Sequence, residues 1–439
     1  MWAVNKRYFK FHCRRRLFDR QLKTFPPLNK ITFSKGEKQI EKIKNSPKTL
    51  VISCIIITAF SIGTVMNTRP VIFAALAEEN NFKPGQMAVC YTVTLISSAL
   101  SVSPIAKIYN GKTAKKVLLI LGIFVCVSMA LGRIFSSLWR WYFLCVFMGI
   151  GSGSIMMLLC VTLNSRFAEK SPGIIGIVTA SGGGAGILVN PICLYMIKIL
   201  SRKKTAVIFS AISLSVYLFA LLFMFAPSET QNEKPEYSPD KAEFKNIKFI
   251  TVRLGILFLT ASSPVANQLA VYAKDLDFGS GAAGFAVSRS MAGNVAGKLA
   301  CGAAAKKAGI FKTAQGFCVA IGLSLVLFFF ADANIAVFYF ASFILGTSFA
   351  ASVSLPPILY RKIYGREKYK PFLAKSQMYY NFSTAALSRG IPAFYDIFGT
   401  YKPIFTLGII TCLFASLLFH KSEKDTNKNP RQIKLHPKS

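Results

Sequence analysis

The sequence predicts an all-α membrane protein with twelve transmembrane helices in two six-helix bundles, on three observations. Of its 439 residues 53% are hydrophobic, yet the formal net charge is +35, a pairing that soluble domains rarely show. The apolar residues gather in blocks of about 20, each long enough to cross a ~30 Å hydrocarbon core as a helix, with Lys and Arg lying between the blocks. The longest polar interruption, Ala226 to Asn246, separates six such blocks from six others.

Residues 1–48 are basic, RYFKFHCRRRLFDRQLK among them, and lack the apolar core of a signal peptide. They read as a cytoplasmic tail whose Phe and Arg rest on anionic lipid headgroups; a transit peptide or an over-extended gene start is the alternative. The N-terminal bundle, 49–226, has apolar blocks near 50–76, 87–108, 117–136, 139–164, 172–198 and 205–226. A cytoplasmic linker, 227–247, contains the Pro, Glu, Lys and Ser of a solvated connection. The C-terminal bundle, 248–420, has blocks near 248–272, 281–304, 311–331, 334–360, 372–396 and 401–420, and a second cytoplasmic tail covers 421–439.

Basic loops set the orientation, because Lys and Arg are retained on the cytoplasmic side. With the N-terminus inside, the interior receives the Lys107 to Lys116 loop, Arg166 with Lys170, the Lys306 to Lys312 loop, the RKIYGREKYK segment from Arg361 and the C-terminal tail. The exterior receives EENNF after the first span, KDLDFGSG after the seventh and ADAN after the ninth. The expected location is the plasma membrane, multi-pass, with both termini cytoplasmic. One stretch disagrees: SRKK, Ser201 to Lys204, would face outward.

Several function classes fall away. The ten cysteines are scattered with no C-x-x-C pair and read as small core residues. His12, His420 and His436 all lie in the terminal tails, so zinc and haem are set aside and no cofactor or metal is expected. No Ser/His, paired-Asp or H-E-x-x-H arrangement falls in the spans, which argues against an enzyme. No nucleic-acid module flanks them, so the basic tails are assigned to membrane lipids rather than nucleic acid.

The two halves echo one another. Span 2 ends in PIAKIYNGKTAKKVLL and span 8 in GKLACGAAAKKAGIFK, each a glycine-containing, lysine-rich turn. Two six-helix halves with a basic 2–3 loop repeated as an 8–9 loop resemble the major facilitator superfamily, and the resemblance covers residues 49 to 420. Family members carry an aspartate in each of these loops. Here the first loop has none and Ala305 stands at the acidic position of the second, so the usual charge lock between helix ends is not expected. NNFKPGQMAVCYT (Asn80 to Thr92), FMGIGSGSIMM in span 4 and YDIFGTY (Tyr395 to Tyr401) look like the branch of oxalate/formate antiporters and monocarboxylate transporters. The resemblance implies two bundles that rock about a central site. Glycines in GIGSGS of span 4, GIIGIVTASGGGAGILVNP of span 5 and GNVAGKLACG of span 8 supply small faces for close helix approach.

Arg69, Arg289 and Arg389 interrupt spans 1, 8 and 11. A charge at mid-bilayer costs at least ~2.5 kcal/mol, so it faces a wet cavity or a partner. Every Asp and Glu lies in a tail, a loop or a span end. Counting along the spans at ~1.5 Å per residue puts the three arginines in one slab roughly 4–9 Å outside the midplane. Carriers of the resembled branch place a cation on helix 8 and, for oxalate, a second on helix 11; Arg289 matches the first by helix and depth, and Arg389 the second, with Arg in place of Lys. The expected substrate-binding set is Arg289, Arg389 and Arg69, whose planar forks suit a carboxylate, with Asn294, Tyr380, Asn190 and Tyr91 orienting the ligand. The alternative is that Arg69 and Arg389 snorkel or pair with Glu78, Glu79 or Asp396, and that the Asn and Tyr residues bridge helices.

The expected function is secondary active or facilitative transport of small organic anions, carboxylates among them, by alternating access in a monomer. With no Asp, Glu or His deep in the membrane, exchange is favoured over proton symport, while Asp275 or Asp277 at the mouth of span 7 stands as a proton site on the other reading. Two alternatives stay open: a non-transporting membrane sensor or scaffold on the same fold, and a carrier of a neutral or amphipathic solute.

Overall fold

The computed structural model describes residues 46–82, 84–132, 137–167, 170–226 and 239–428. The basic tail through residue 45, linker residues 227–238 and the tail from 429 lie outside the described residues. By its contacts the chain divides into Met1–Leu50 and Val51–Ser439, and the helical bundle belongs to the second unit.

Ten helices among the described residues are long and apolar enough to cross a membrane. One of them, Ile335–Phe398, is two helices joined at Gly365, whose φ of 76° and ψ of 178° suit only glycine. Gly279–Lys307 is as long as its neighbours but too polar to qualify by composition. The twelve segments are α1 (Pro47–Asn80), α2 (Pro84–Ile108), α3 (Ala114–Leu131), α4 (Leu138–Phe167), α5 (Ser171–Leu200), α6 (Arg202–Met224), α7 (residues 247–275), α8 (Gly279–Lys307), α9 (Ile310–Phe328), α10 (residues 335–364), α11 (residues 366–398) and α12 (Lys402–Lys428). Two boundaries differ from the sequence expectation. RKIYGREKYK, expected as a loop, is helical on both sides of Gly365, and α12 runs on to Lys428. Lys, Arg and Glu are good helix formers, so these helices outrun the apolar block that predicts them.

The first helix of each half is broken. α1 passes through a π-helical stretch, Ala59–Met66, after which the Asn67 N–H bonds the Ile62 carbonyl five residues back. α7 gives way after Thr260 to a 3-10 turn, Ser263–Gln268, with Pro264 near its start. Within the first half α4 packs on α2 and α3, and α1 on α5 and α6; within the second, α10 packs on α8 and α9, and α12 on α7 and α9. The halves meet along α5 and α8, and along α2 and α11, where Asn381 Nδ2 donates to Ser98 Oγ at 2.7 Å.

Glycine makes those seams possible. A methyl on Gly302 of α8 would lie 2.5 Å from the Pro172 carbonyl of α5, and one on Gly176 of α5 would lie 2.7 Å from the Lys298 carbonyl. The nine described cysteines are free and buried.

In the SRKK stretch packing accounts for Arg202, while Lys203 and Lys204 are exposed. Arg202, 1% exposed, opens α6 and holds Glu79 near the end of α1, Nη2 at 2.7 Å and Nε at 2.8 Å from Oε2. A basic residue committed to an ion pair no longer acts as a free charge retained on one side of the membrane. Removing one partner strands the other, and Arg202 Nη1 already has no hydrogen-bond partner. Glu79→Gln is expected to lower stability by about 2 kcal/mol, less than for a fully buried pair because Glu79 is partly exposed. Adding Arg202→Met restores most of the loss; thermal unfolding in detergent that falls further in the double variant than in Glu79→Gln would contradict this.

Candidate functional site

A cavity of about 290 Å³ lies between the halves, walled by α1, α2 and α4 on one side and by α8, α10 and α11 on the other. Arg69 enters it from α1, at the first residue of the segment after the π-helical stretch. A π turn carries extra residues per turn and so rotates the next part of the helix about its axis; it lies directly before the cavity arginine. Arg69 Nη1 donates to Thr94 Oγ1 of α2 at 3.0 Å. The guanidinium carbon lies 4.5 Å from the centre of the Tyr91 ring, a cation–π contact that holds the fork flat on α2. Its Nε is buried with no hydrogen-bond partner.

The second cation is Lys298 of α8, 7% exposed and lining the same cavity. It stands beside the Cys160 thiol of α4 and makes no ion pair among the described residues. A buried ammonium without a counter-ion is costly, and water or an anionic ligand must supply what the protein does not. Among the described residues no carboxylate lines the cavity. Its polar wall is a chain of three amide and hydroxyl groups: Gln377 Nε2 donates to Asn381 Oδ1 at 3.1 Å, and Asn381 to Ser98. Met66, Leu95, Met156 and Leu373 supply apolar wall between them.

The cavity is closed at the end that carries the basic 2–3 and 8–9 turns. Arg361 Nη1 donates to Asn164 Oδ1 at 3.1 Å and to Ser171 Oγ at 2.6 Å, and Asn164 Nδ2 donates to the Pro357 carbonyl at 3.1 Å. Tyr369 Oη donates to the Val161 carbonyl at 3.1 Å, and Lys370 Nζ to the Tyr109 carbonyl. Each bond runs between the halves. Arg361 meets the Asn164 side chain near the end of α4 and the Ser171 hydroxyl at the start of α5, while Lys370 meets the Tyr109 carbonyl just past the end of α2, where the helix dipole favours positive charge.

The structure brings together only part of the expected site. Arg69 and Tyr91 form one unit at the cavity. Arg289, expected as the central cation, is not there: it is exposed, with its guanidinium over the Phe285 ring at 4.6 Å, and Phe285 meets Tyr339 of α10 edge-on at 4.8 Å. Nine residues separate Arg289 from Lys298, a rotation of about 180° on a helix of 3.6 residues per turn. The two charges therefore occupy opposite faces of α8. Arg389 is also exposed, on the flank of α11 towards Tyr142, and lies outside the cavity lining. Asn190 and Asn294 each have a buried Oδ1 without a partner but do not line the cavity. Tyr380 is packed against Ser352 and Thr384 in the α10–α11 seam. Lys298, Gln377 and Ser98 are the residues that sequence reasoning missed; Lys298 was absorbed into the glycine-lysine pattern at the end of span 8.

Residues 53–368 match the family model described as Major Facilitator Superfamily. Among solved structures, the human organic anion transporter MFSD10 (TETRAN) is similar at 13% identity, over 85% of this chain and 100% of that one, with a TM-score of 0.68. A bacterial homologue of the iron transporter ferroportin in its outward-facing state is similar at 13% identity, over 86% and 99% of the two chains, with a TM-score of 0.66. At such identity the likeness to these structures is one of fold alone. A comparison with curated proteins finds no match.

Proposed function

The chain belongs to the Major Facilitator Superfamily, and we propose that it carries small organic anions, carboxylates among them, across a membrane by alternating access, with exchange favoured over proton symport. The observation that carries this reading is the charge of the cavity, which takes Arg69 from one half and Lys298 from the other and has no lining carboxylate. An anionic ligand supplies the missing charge. Arg69 offers a fork pre-set by Tyr91 and Thr94, and Lys298 a point charge. The similarity in fold to a human organic anion transporter agrees with this reading. With the termini cytoplasmic and the chain in the plasma membrane, the closed basic end is the inner one.

Exchange is favoured by the groups the site lacks. Proton coupling in such carriers rests most often on an Asp, Glu or His in the transport path, and among the described residues none lines the cavity; the ionisable amine there, Lys298, is assigned to the ligand in this reading. Reconstitution into liposomes, with a panel of labelled mono- and dicarboxylates, tests both points. Uptake is expected to rise several-fold when the liposomes are preloaded with unlabelled anion, and to ignore an imposed pH gradient when the membrane potential is clamped. Uptake that tracks the pH gradient would overturn exchange, and absence of uptake for every carboxylate would overturn the anion reading.

A further inference from the structure

Two cysteines of the first half meet beside Arg69. α2 and α4 pack side by side in the same direction, and their contacts advance together turn by turn. Tyr142 Oη donates to the Gln86 carbonyl at 2.9 Å, and one turn on the Cys90 and Cys145 thiols hydrogen-bond to each other. At the next two turns a methyl on Gly149 would run into the Thr94 carbonyl, and one on Gly153 into the Ser98 side chain. Glycine therefore holds the two backbones together just beyond the thiols. A disulfide requires such an approach, with Cα atoms ~4.4–6.8 Å apart.

The pair is connected to the cavity through the residues that hold its arginine. The Cys145 sulfur also hydrogen-bonds the Thr94 hydroxyl, which accepts from Arg69 Nη1, and Tyr91, under the guanidinium, is the residue after Cys90. Both thiols are fully buried, yet Arg69 and Thr94 line the cavity. A water-sized solute in the cavity thus stands about one helical turn, ~5.4 Å, from the sulfurs.

We propose that Cys90 and Cys145 are a redox-active dithiol that closes to a disulfide with hydrogen peroxide as oxidant, loosening the hold on Arg69 and weakening ligand binding. The effect on binding rests on the anion reading above; the disulfide does not. One sulfur attacks the peroxide, the O–O bond breaks, and a sulfenic acid and water result. The second sulfur displaces the sulfenic hydroxyl as water and forms the S–S bond, so that two thiols and one peroxide give one disulfide and two waters. The sulfurs close from hydrogen-bonding contact to ~2.05 Å. Their thiol hydrogens are gone, and the α2 turn that carries Tyr91 and Thr94 is drawn towards α4. Because both cysteines belong to one half, the bond leaves the halves free to rock and acts on affinity rather than turnover.

The test treats the purified protein in proteoliposomes with hydrogen peroxide, alkylates the remaining thiols and maps disulfides by mass spectrometry of peptides. A Cys90–Cys145 disulfide is expected, reversed by dithiothreitol, with the other described cysteines still reduced. KM for the best carboxylate should rise about three- to tenfold on oxidation, the effect of one lost hydrogen bond, with Vmax within about twofold. Cys90→Ser and Cys145→Ser each abolish that response to peroxide. Should either variant fail to insert, the peptide map and the reversible KM shift of the unmodified protein decide. Absence of the disulfide, or disulfides scattered among the other cysteines, would overturn the dithiol, and a disulfide that leaves KM unchanged would overturn its link to Arg69. If no carboxylate is taken up, the anion reading falls with the binding effect, while the peptide map still decides the pair.

Discussion

Lys298→Gln is expected to lower uptake of the best carboxylate substrate by roughly a hundredfold or more, while Arg289→Gln leaves it within about twofold of the unmodified protein. Both substitutions remove one positive charge from α8, so their contrast isolates where the charge points. Lys298 is buried in the cavity without an ion-pair partner, and a ligand carboxylate placed there exchanges water for a desolvated cation. Arg289 is exposed on the opposite side of the helix, its contact being the ring of Phe285. An exposed cation–π contact contributes ~0.5–1 kcal/mol to local packing and nothing to the cavity. The measurement is initial uptake in proteoliposomes at matched protein incorporation. Equal losses in the two variants would mean that the potential of the helix as a whole, and not contact in the cavity, selects the ligand. A loss confined to Arg289→Gln would return the site to the face that the structure turns away.

Gly346→Val is expected to eliminate folded protein. A Cβ at residue 346 of α10 would stand 1.9 Å from the Ser290 carbonyl oxygen and 2.8 Å from its carbon, and the reverse contact, Gly293 against the Phe343 carbonyl, is 1.8 Å. These are backbone atoms of a neighbouring helix, so no rotamer change relieves the clash. α8 and α10 must part along their shared face, at a cost above the ~1–3 kcal/mol of ordinary overpacking. Size-exclusion profiles of fluorescently tagged protein should show loss of the monodisperse peak. Gly316→Ala in α9, where nothing lies within 4 Å of the new methyl, is the control, and it gains about 0.8 kcal/mol of helix propensity. A monodisperse Gly346→Val protein would show that the seam tolerates separation.

How much of this was legible in the sequence depends on whether the signal is one of length or of direction. Apolar blocks of membrane length and the glycine-rich faces report length and closeness, and the helices overlie those blocks, running past them at Arg361 to Lys370 and at the end of α12. Arg69 and Tyr91 were legible as polar groups in an apolar block whose helices are neighbours. Lys298 was not, because depth can be counted along a helix but the face cannot be read when Gly, Ala and Ser surround it on every side. Arg289 was chosen by depth, and in the structure it lies on the face of α8 opposite Lys298. In α1 the π-helical stretch before Arg69 breaks the 3.6-residue count on which any face assignment relies. The partner of Arg202 lies 123 residues away in the chain, and no local pattern announces it.

The polarity of α8 bears on biogenesis. Gly279–Lys307 holds a charge on each side and is not apolar enough to leave the translocon for lipid by itself. In the mature bundle it is shielded by α5, α7 and α10, of which α5 and α7 are synthesised earlier and α10 later. The incoming helix therefore depends on an already inserted α5 surface, lined with glycine, to accept it as it emerges. Damage to the α5 surface of the first half is therefore expected to appear as failed insertion of α8 in the second.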